Sequence, residues 1–283
     1  AMLEESLRLR VLSRGARNFR AYAELAEQYE ERVWSSNGTA NRVMRMPAGP
    51  TVVITPWNAP FMLSTWKCAP ALAAGNTVVL KPAPDTPWCA TVLGRIIAEE
   101  TDIPAGVVNV VPSSDHAVGA LLSTDPRVDM VSFTGSTATG RKVMAAAAET
   151  IKKVFLELGG KSAFVVLDDA DLATACATAA FTVCTHAGQG CAITTRLLVP
   201  RSRFDEAVEA TAGVMAALPA GDPTDPGTIC GPLISARQRD RVEGYLRLAL
   251  DEGGSFVLGG GRPEGMDAGF FVEPTLVVGL PNT

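Results

Sequence analysis

The chain of 283 residues holds only two histidines, His116 and His186, and none of its six cysteines forms a Cys-x-x-Cys pair. That is too few clustered ligands for a zinc framework, and no metal site is expected. Charge is scarce too: 19% of residues are charged, the net charge is −5, and no basic run occurs. Nucleic acid and anionic membrane surfaces are therefore not expected partners. No apolar run is long enough to span a bilayer, because Asp102, Asp115, Asp125 and Asp129 interrupt the hydrophobic stretches. The dinucleotide fingerprint Gly-x-Gly-x-x-Gly is absent as well. Glu4 and Glu5 ahead of an arginine-rich stretch are unlike a secretory signal. Without a disulfide framework, a reducing cytoplasmic compartment is expected. Cys68, Cys89, Cys176, Cys184 and Cys230 then read as buried small apolar side chains.

What is present is a hydrophobic fraction of 47% organised into two kinds of pattern. In residues 3–31, Leu3, Leu7, Val11, Phe19, Tyr22, Leu25 and Tyr29 recur at helical spacing and predict one long amphipathic helix. The polar stretch from Ser35 to Pro50, ending in Pro47-Ala48-Gly49-Pro50, reads as a hairpin or linker. From Thr51 a regular alternation begins. Short apolar runs at 51–55, 77–80, 107–111, 129–133 and 153–157 are separated by helical segments near 61–74, 86–100, 115–123 and 137–149. Strands alternating with helices predict a doubly wound parallel α/β sheet. Continuous apolar strands fit burial on both faces.

After Gly160 a second unit is predicted, with strands at 163–167 and 196–199 and helices at 171–184, 202–217 and 235–252. A short strand pair around 255–258 and 271–273 follows. These strands are too few to close a sheet, so this α/β unit reads as incomplete.

In an open parallel sheet, ligands bind beyond the carboxyl ends of the strands. Asn58, Lys81 and Ser136 each fall at or just past such an end, and Glu157 closes the fifth strand. Asn58 can donate its amide hydrogens to a developing alkoxide. A turn asparagine between Pro56 and Pro60 is the plainer alternative. Gly135 and Ser136, with Gly140 a turn later, place backbone N–H groups at a helix start, where anions bind. Glu157, in Leu156-Glu157-Leu158-Gly159-Gly160-Lys161, is a carboxylate able to activate water. Cys191, in Gly188-Gln189-Gly190-Cys191, is a thiol in an open glycine-flanked context, able to attack a carbonyl. His186 lies close by in sequence, but no orienting group accompanies it and no Cys–His dyad is expected.

Taken in order, Thr55-Pro56-Trp57-Asn58, Lys81-Pro82, Phe133-Thr134-Gly135-Ser136, the Glu157 block and the Cys191 block resemble the aldehyde dehydrogenase superfamily. The resemblance extends from Pro47 to Thr275 and is specific for the family rather than for a substrate. It implies a dinucleotide-binding domain over residues 1–158 and a catalytic domain over 159–283, incomplete at its end. It implies oxidation of an aldehyde to a carboxylic acid. In that scheme Cys191 is the nucleophile, and Asn58 with the Cys191 N–H holds the hemithioacetal oxyanion. Glu157 then activates the water that cleaves the thioester, and Lys67 supports proton traffic. The cofactor residues implied are Thr55, Pro56, Trp57, Lys81, Gly135, Ser136, Leu158 and Gly159.

NAD is the implied cofactor, with NADP admitted because Pro84 stands where the family often has a ribose-binding glutamate. The resemblance also implies a homo-oligomer, through a hairpin near 35–50. Phe61, Met62 and Trp66 suggest an apolar pocket. The family's Glu-Ile-Phe-Gly-Pro block, which normally follows a segment such as Glu273-Pro274-Thr275, is absent. The sequence is thus expected to be an internal piece of a longer enzyme. A CoA-acylating relative and a non-catalytic nucleotide-binding module remain as alternatives. Glu157 weighs against the first, and the truncated pattern favours the second.

Overall fold

A computed structural model describes the backbone of residues 2–281 and the side chains from Leu12 onward within that range. Leu3, Leu7 and Val11 of the expected apolar stripe lie outside the described side chains. The chain divides into two compact units, one of Leu7–Gly159 and one built on Gly160–Thr283. Each is described by itself.

Helix α1 runs over Met2–Glu27, ending before the limit of 31 that its spacing predicts. Arg32 already belongs to β1 (Arg32–Ser36), which pairs antiparallel with β2 (Thr39–Val43). The turn is Asn37-Gly38, both with positive φ (53° and 77°), as a tight two-residue hairpin requires. The stretch read as hairpin or linker is therefore a hairpin, shifted a few residues upstream.

Five strands then form one parallel sheet: β3 (Thr51–Ile54), β4 (Val78–Lys81), β5 (Val108–Val110), β6 (Met130–Gly135) and β7 (Lys153–Leu158). Their spatial order is β5-β4-β3-β6-β7, so the winding reverses between β3 and β6. The connections are helices α2 (Pro60–Ala73), α3 (Trp88–Glu100), α4 (Ala117–Thr124) and α5 (Thr137–Ala148). The sheet is covered by two cores, and β3 and β4 contribute alternate residues to both. Val53, Val78 and Leu80 pack against α2 and α3 through Cys68, Ala90, Leu93 and Ile97. Val52, Val131 and Phe133 pack on the other face, with Val143 of α5. Two cores around one sheet are what doubly wound α/β folding demands.

In the second unit β8 (Ser162–Val165) pairs parallel with β9 (Thr194–Leu198) across α6 (Leu172–Cys184). Asp171 caps α6, accepting from the Thr174 N–H at 3.3 Å. Helices α7 (Phe204–Ala217) and α8 (Ala236–Asp251) follow, then β10 (Ser255–Leu258) paired antiparallel with β11 (Leu276–Val278). This last strand corrects the expected 271–273. Phe271 of that run is buried, but the ladder forms from the next apolar run, beyond Pro274, which has no N–H to give a ladder. Among the described residues no helix is long and apolar enough to cross a membrane, and no group of His, Cys, Asp and Glu could hold a metal ion.

Candidate active site

Parallel pairing brings the carboxyl ends of β3, β4, β6 and β7 to one edge of the sheet. Thr55 follows β3, Lys81 ends β4, Gly135 ends β6, and Glu157 and Leu158 end β7. Two rows of side chains share the α2 face there. Register pairs Thr134 with Glu157, and Thr55 follows Ile54, which pairs with Phe133. One step down, Val53 pairs with Ser132 and Ser132 with Phe155.

The upper row has unspent hydrogen-bonding capacity. Thr55 and Thr134 are buried, and neither hydroxyl has a hydrogen-bond partner. A buried orphan hydroxyl costs roughly 1–3 kcal/mol, so two beside each other at the point of strand reversal fit a polar ligand seated there. Trp57 and Asn58 continue from Thr55 into the turn before α2, with Pro60 as its first residue.

At the lower row, Lys67 is buried on α2 and donates from Nζ to Ser132 Oγ at 2.8 Å. Its ammonium also lies 5.1 Å from the centroid of the Phe155 ring. Burial brings the Lys67 amine down to about 8, with Glu157 and Cys68 pulling in the other direction. Burial pushes the neighbouring Cys68 thiol up to about 12, against the pull of Lys67. Lys67 is only 8% exposed, so it is a buried lysine and not a solvated one on a helix surface.

The remaining residues of the edge divide between structural and open positions. Ser136 caps α5, accepting from the Thr139 N–H at 3.2 Å. Its hydroxyl is thus engaged, while the first N–H groups of α5 have no intrahelical partner and suit an anion. Gly140 is a packing glycine: a Cβ there would stand 2.6 Å from Leu158 Cδ2. The Leu158 side chain belongs to the core beneath α5, so its backbone is what it can offer a cofactor. Gly159 and Gly160 have open space around them. Lys81 is buried and donates to the Pro82 carbonyl at 3.2 Å. Burial lowers its amine below the ordinary lysine range, with Asp115 opposing. Pro84 and Asp85 form the middle of a turn closed by Thr86 N–H to Ala83 O, a place where proline's fixed φ is favourable. Phe61 packs its ring against Gly15 of α1, which uses that side chain in the fold, whereas Trp66 is half-exposed.

Cys191 belongs to the other unit and is exposed. It follows a tight turn, Thr185–Gly188, in which His186, Ala187 and Gly188 all have positive φ (60°, 50° and 73°). Left-handed backbone at two non-glycine residues is strained and must be held by its surroundings. Gln189 helps to hold it: its Nε2 donates to His186 O at 3.2 Å and its Oε1 accepts from Ile234 N–H at 3.0 Å. His186 is exposed within this turn. Cys184 and Cys230 are buried together, with Cys230 Sγ 3.4 Å from Cys184 O, and their thiol contact with burial raises Cys184. Cys68 and Cys176 are buried as expected. Cys89 is not. It is exposed on α3, whose core face is Ala90, Leu93 and Ile97, so that cysteine falls on the outer side.

Residues missed by sequence reasoning are Thr134, Ser132, Phe155 and Gln189. Ser132 and Phe155 acquire meaning only from the β6–β7 register; Thr134 and Gln189 stand inside the motif blocks, but without a role that the blocks reveal.

Residues 4–283 match the model of the aldehyde dehydrogenase family. The 2-hydroxymuconic semialdehyde dehydrogenase of Pseudomonas sp. (strain CF600) is 41% identical over 280 residues, which cover 96% of this chain and 57% of that protein. Geranial dehydrogenase of Castellaniella defragrans is 44% identical, over 93% of this chain and 55% of that protein. Among solved structures, Mycobacterium tuberculosis aldehyde dehydrogenase complexed with NAD+ superimposes with a TM-score of 0.89 at 45% identity, covering 95% of this chain and 56% of that one. A 3,6-anhydro-L-galactose dehydrogenase in complex with NAP gives 0.90 at 34% identity, covering 96% and 58% respectively. The chain spans about half the length of the curated relatives it matches. Sequence blocks, sheet order and these likenesses agree: the chain belongs to the aldehyde dehydrogenase family.

Proposed function

We propose that this chain carries the chemistry of an NAD(P)-dependent aldehyde dehydrogenase that releases a carboxylic acid. The observation that carries the reading is the sheet edge of Leu7–Gly159, where the Glu157 carboxyl, the buried Lys67 amine with its lowered pKa and two unpaired buried hydroxyls line one face. Residues 1–158 act as the dinucleotide-binding part and 159–283 as part of the catalytic domain. Thr55, Pro56, Trp57, Lys81, Gly135, Ser136, Leu158 and Gly159 hold the cofactor, whose nicotinamide, when bound, supplies a hydride acceptor. NAD is favoured because several of the similar solved structures, the Mycobacterium tuberculosis enzyme among them, contain it. Pro84 puts no carboxylate at the position where the family often has a glutamate, although Asp85 follows it, and this keeps NADP open.

In this reading Cys191 adds as thiolate to the aldehyde carbon. Asn58 and the Cys191 N–H donate to the resulting oxyanion, and such a donor contributes roughly 3–4 kcal/mol. After oxidation the acyl group is a thioester on Cys191. Glu157 takes a proton from the attacking water, and Lys67 supports that proton's onward movement. The cytoplasm suits the free thiol. Self-association fits the exposed β1–β2 hairpin, with Val33, Trp34 and Val43 on its surface.

The test is aldehyde-dependent reduction of NAD and of NADP, followed by cofactor absorbance, with aliphatic, aromatic and semialdehyde substrates. Reduction that disappears in Cys191→Ala supports the reading. Undiminished reduction in that variant would overturn it.

A further inference from the structure

Lys67 Nζ has a seat built from two strands. Ser132 and Phe155 are register partners across β6 and β7, and the ammonium meets both: the hydroxyl at 2.8 Å and the ring centroid at 5.1 Å. Ser132 is itself buried, in the middle of β6, where a polar side chain on a core-facing position needs a reason. Phe155 is 50% exposed on the β7 face it shares with Lys153 and Glu157. An aromatic ring with one face under an ammonium attracts the charge while excluding water from that side.

We propose that Ser132 and Phe155 are positioning residues that jointly fix the Lys67 ammonium within electrostatic reach of Glu157. The hydroxyl sets where the nitrogen stands, and the ring sets how readily it keeps its proton. Neither touches substrate; both act through Lys67. The groups acting on Lys67 are Glu157 from β7 and Cys68 from its own helix. From β3 the same face offers Val53 and Thr55, neither charged. Helix α1, joined to α2 by the Asn18–Thr65 hydrogen bond, carries Arg14, Arg17 and Arg20, all exposed. The downward shift of Lys67 by burial agrees with this seat and is opposed by Glu157. The inference rests on the reading of Glu157 as the hydrolytic base for its consequence, though not for its test.

The test is a pH titration of ε-13C-lysine-labelled protein by NMR, with the Lys67 resonance assigned by its loss in Lys67→Met. The expected Lys67 midpoint lies well below the ordinary lysine range. It should fall further, by about one unit, in Ser132→Ala and in Phe155→Leu, because each variant removes support for the charged form. Ser132→Thr, which keeps the hydroxyl, should restore the midpoint. If Ser132→Ala does not fold, Phe155→Leu decides, since a half-exposed position tolerates leucine. A midpoint unmoved in Phe155→Leu and in any folded Ser132→Ala would overturn the proposal. Turnover is not needed for this readout, so it separates from the Cys191→Ala test. A shifted midpoint with undiminished Cys191→Ala activity sinks the function and keeps the seat; the reverse sinks the seat alone.

Discussion

In Leu7–Gly159 the candidate residues stand where strands end, while in the unit built on Gly160–Thr283 Cys191 stands on a loop beyond a strained turn. The first arrangement is a by-product of the fold. Once β3, β4, β6 and β7 pair in parallel, Thr55, Lys81, Gly135 and Glu157 share an edge whatever else happens. The second arrangement is local, with Gln189 bracing His186 O and Ile234 N–H. The difference teaches how each part should fail. Damage to the sheet core removes stability and site together, whereas damage at the Gln189 brace removes the site and leaves the core.

The largest effect should come from Cys191→Ala, with aldehyde oxidation falling by on the order of 10⁴-fold or more in steady-state assays and stability unchanged, since the side chain is exposed. Glu157→Gln should keep the first round of cofactor reduction and slow release of the acid by roughly 10²–10⁴-fold, resolved as a burst in rapid-mixing kinetics. Leu80→Ala, at a fully buried β4 position, should cost about 2–5 kcal/mol in denaturant unfolding and weaken cofactor binding in parallel. Gln189→Ala should do the opposite, lowering kcat while shifting unfolding by only about 1 kcal/mol. A Gln189→Ala protein as destabilised as Leu80→Ala would erase the contrast between the units.

A further effect concerns Lys67 and pH. Its folded-state amine lies near 8, below the unfolded value of 10.5, so between those values the unfolded chain binds more protons. Stability should therefore rise with pH across that window. Below it, the buried ammonium is a penalty. Lys67→Met is expected to be more stable than the parent at neutral pH, by on the order of 1–3 kcal/mol, with the gap closing toward pH 10.5. Equal pH dependence of unfolding in the two proteins would contradict this.

Most of the α/β fold was legible because alternating apolar runs and helical spacing dictate it. The five strands begin within one residue of where the apolar runs begin. Helix α1 ended early because Tyr29, although at helical spacing, lies in the segment that turns into the hairpin. The strand expected at 271–273 forms instead at Leu276–Val278, because two apolar runs flank Pro274 and only pairing selects between them. Cys89 is exposed and not buried because the outward side of α3 is set by which residues reach the sheet. At the site, the motif blocks named the residues at the strand ends. They could not reveal the Ser132–Phe155 pair or the adjacency of Thr55 and Thr134, because sequence order does not give which strands are neighbours or in what register.

The most direct measurement is the intact mass of Glu157→Gln after one round of aldehyde and NAD, with peptide mapping of any adduct. The expected result is an acyl group on Cys191, formed in step with cofactor reduction and absent without aldehyde. Cofactor reduction with no adduct on Cys191, or an adduct on another cysteine, would contradict the assignment of nucleophile and base.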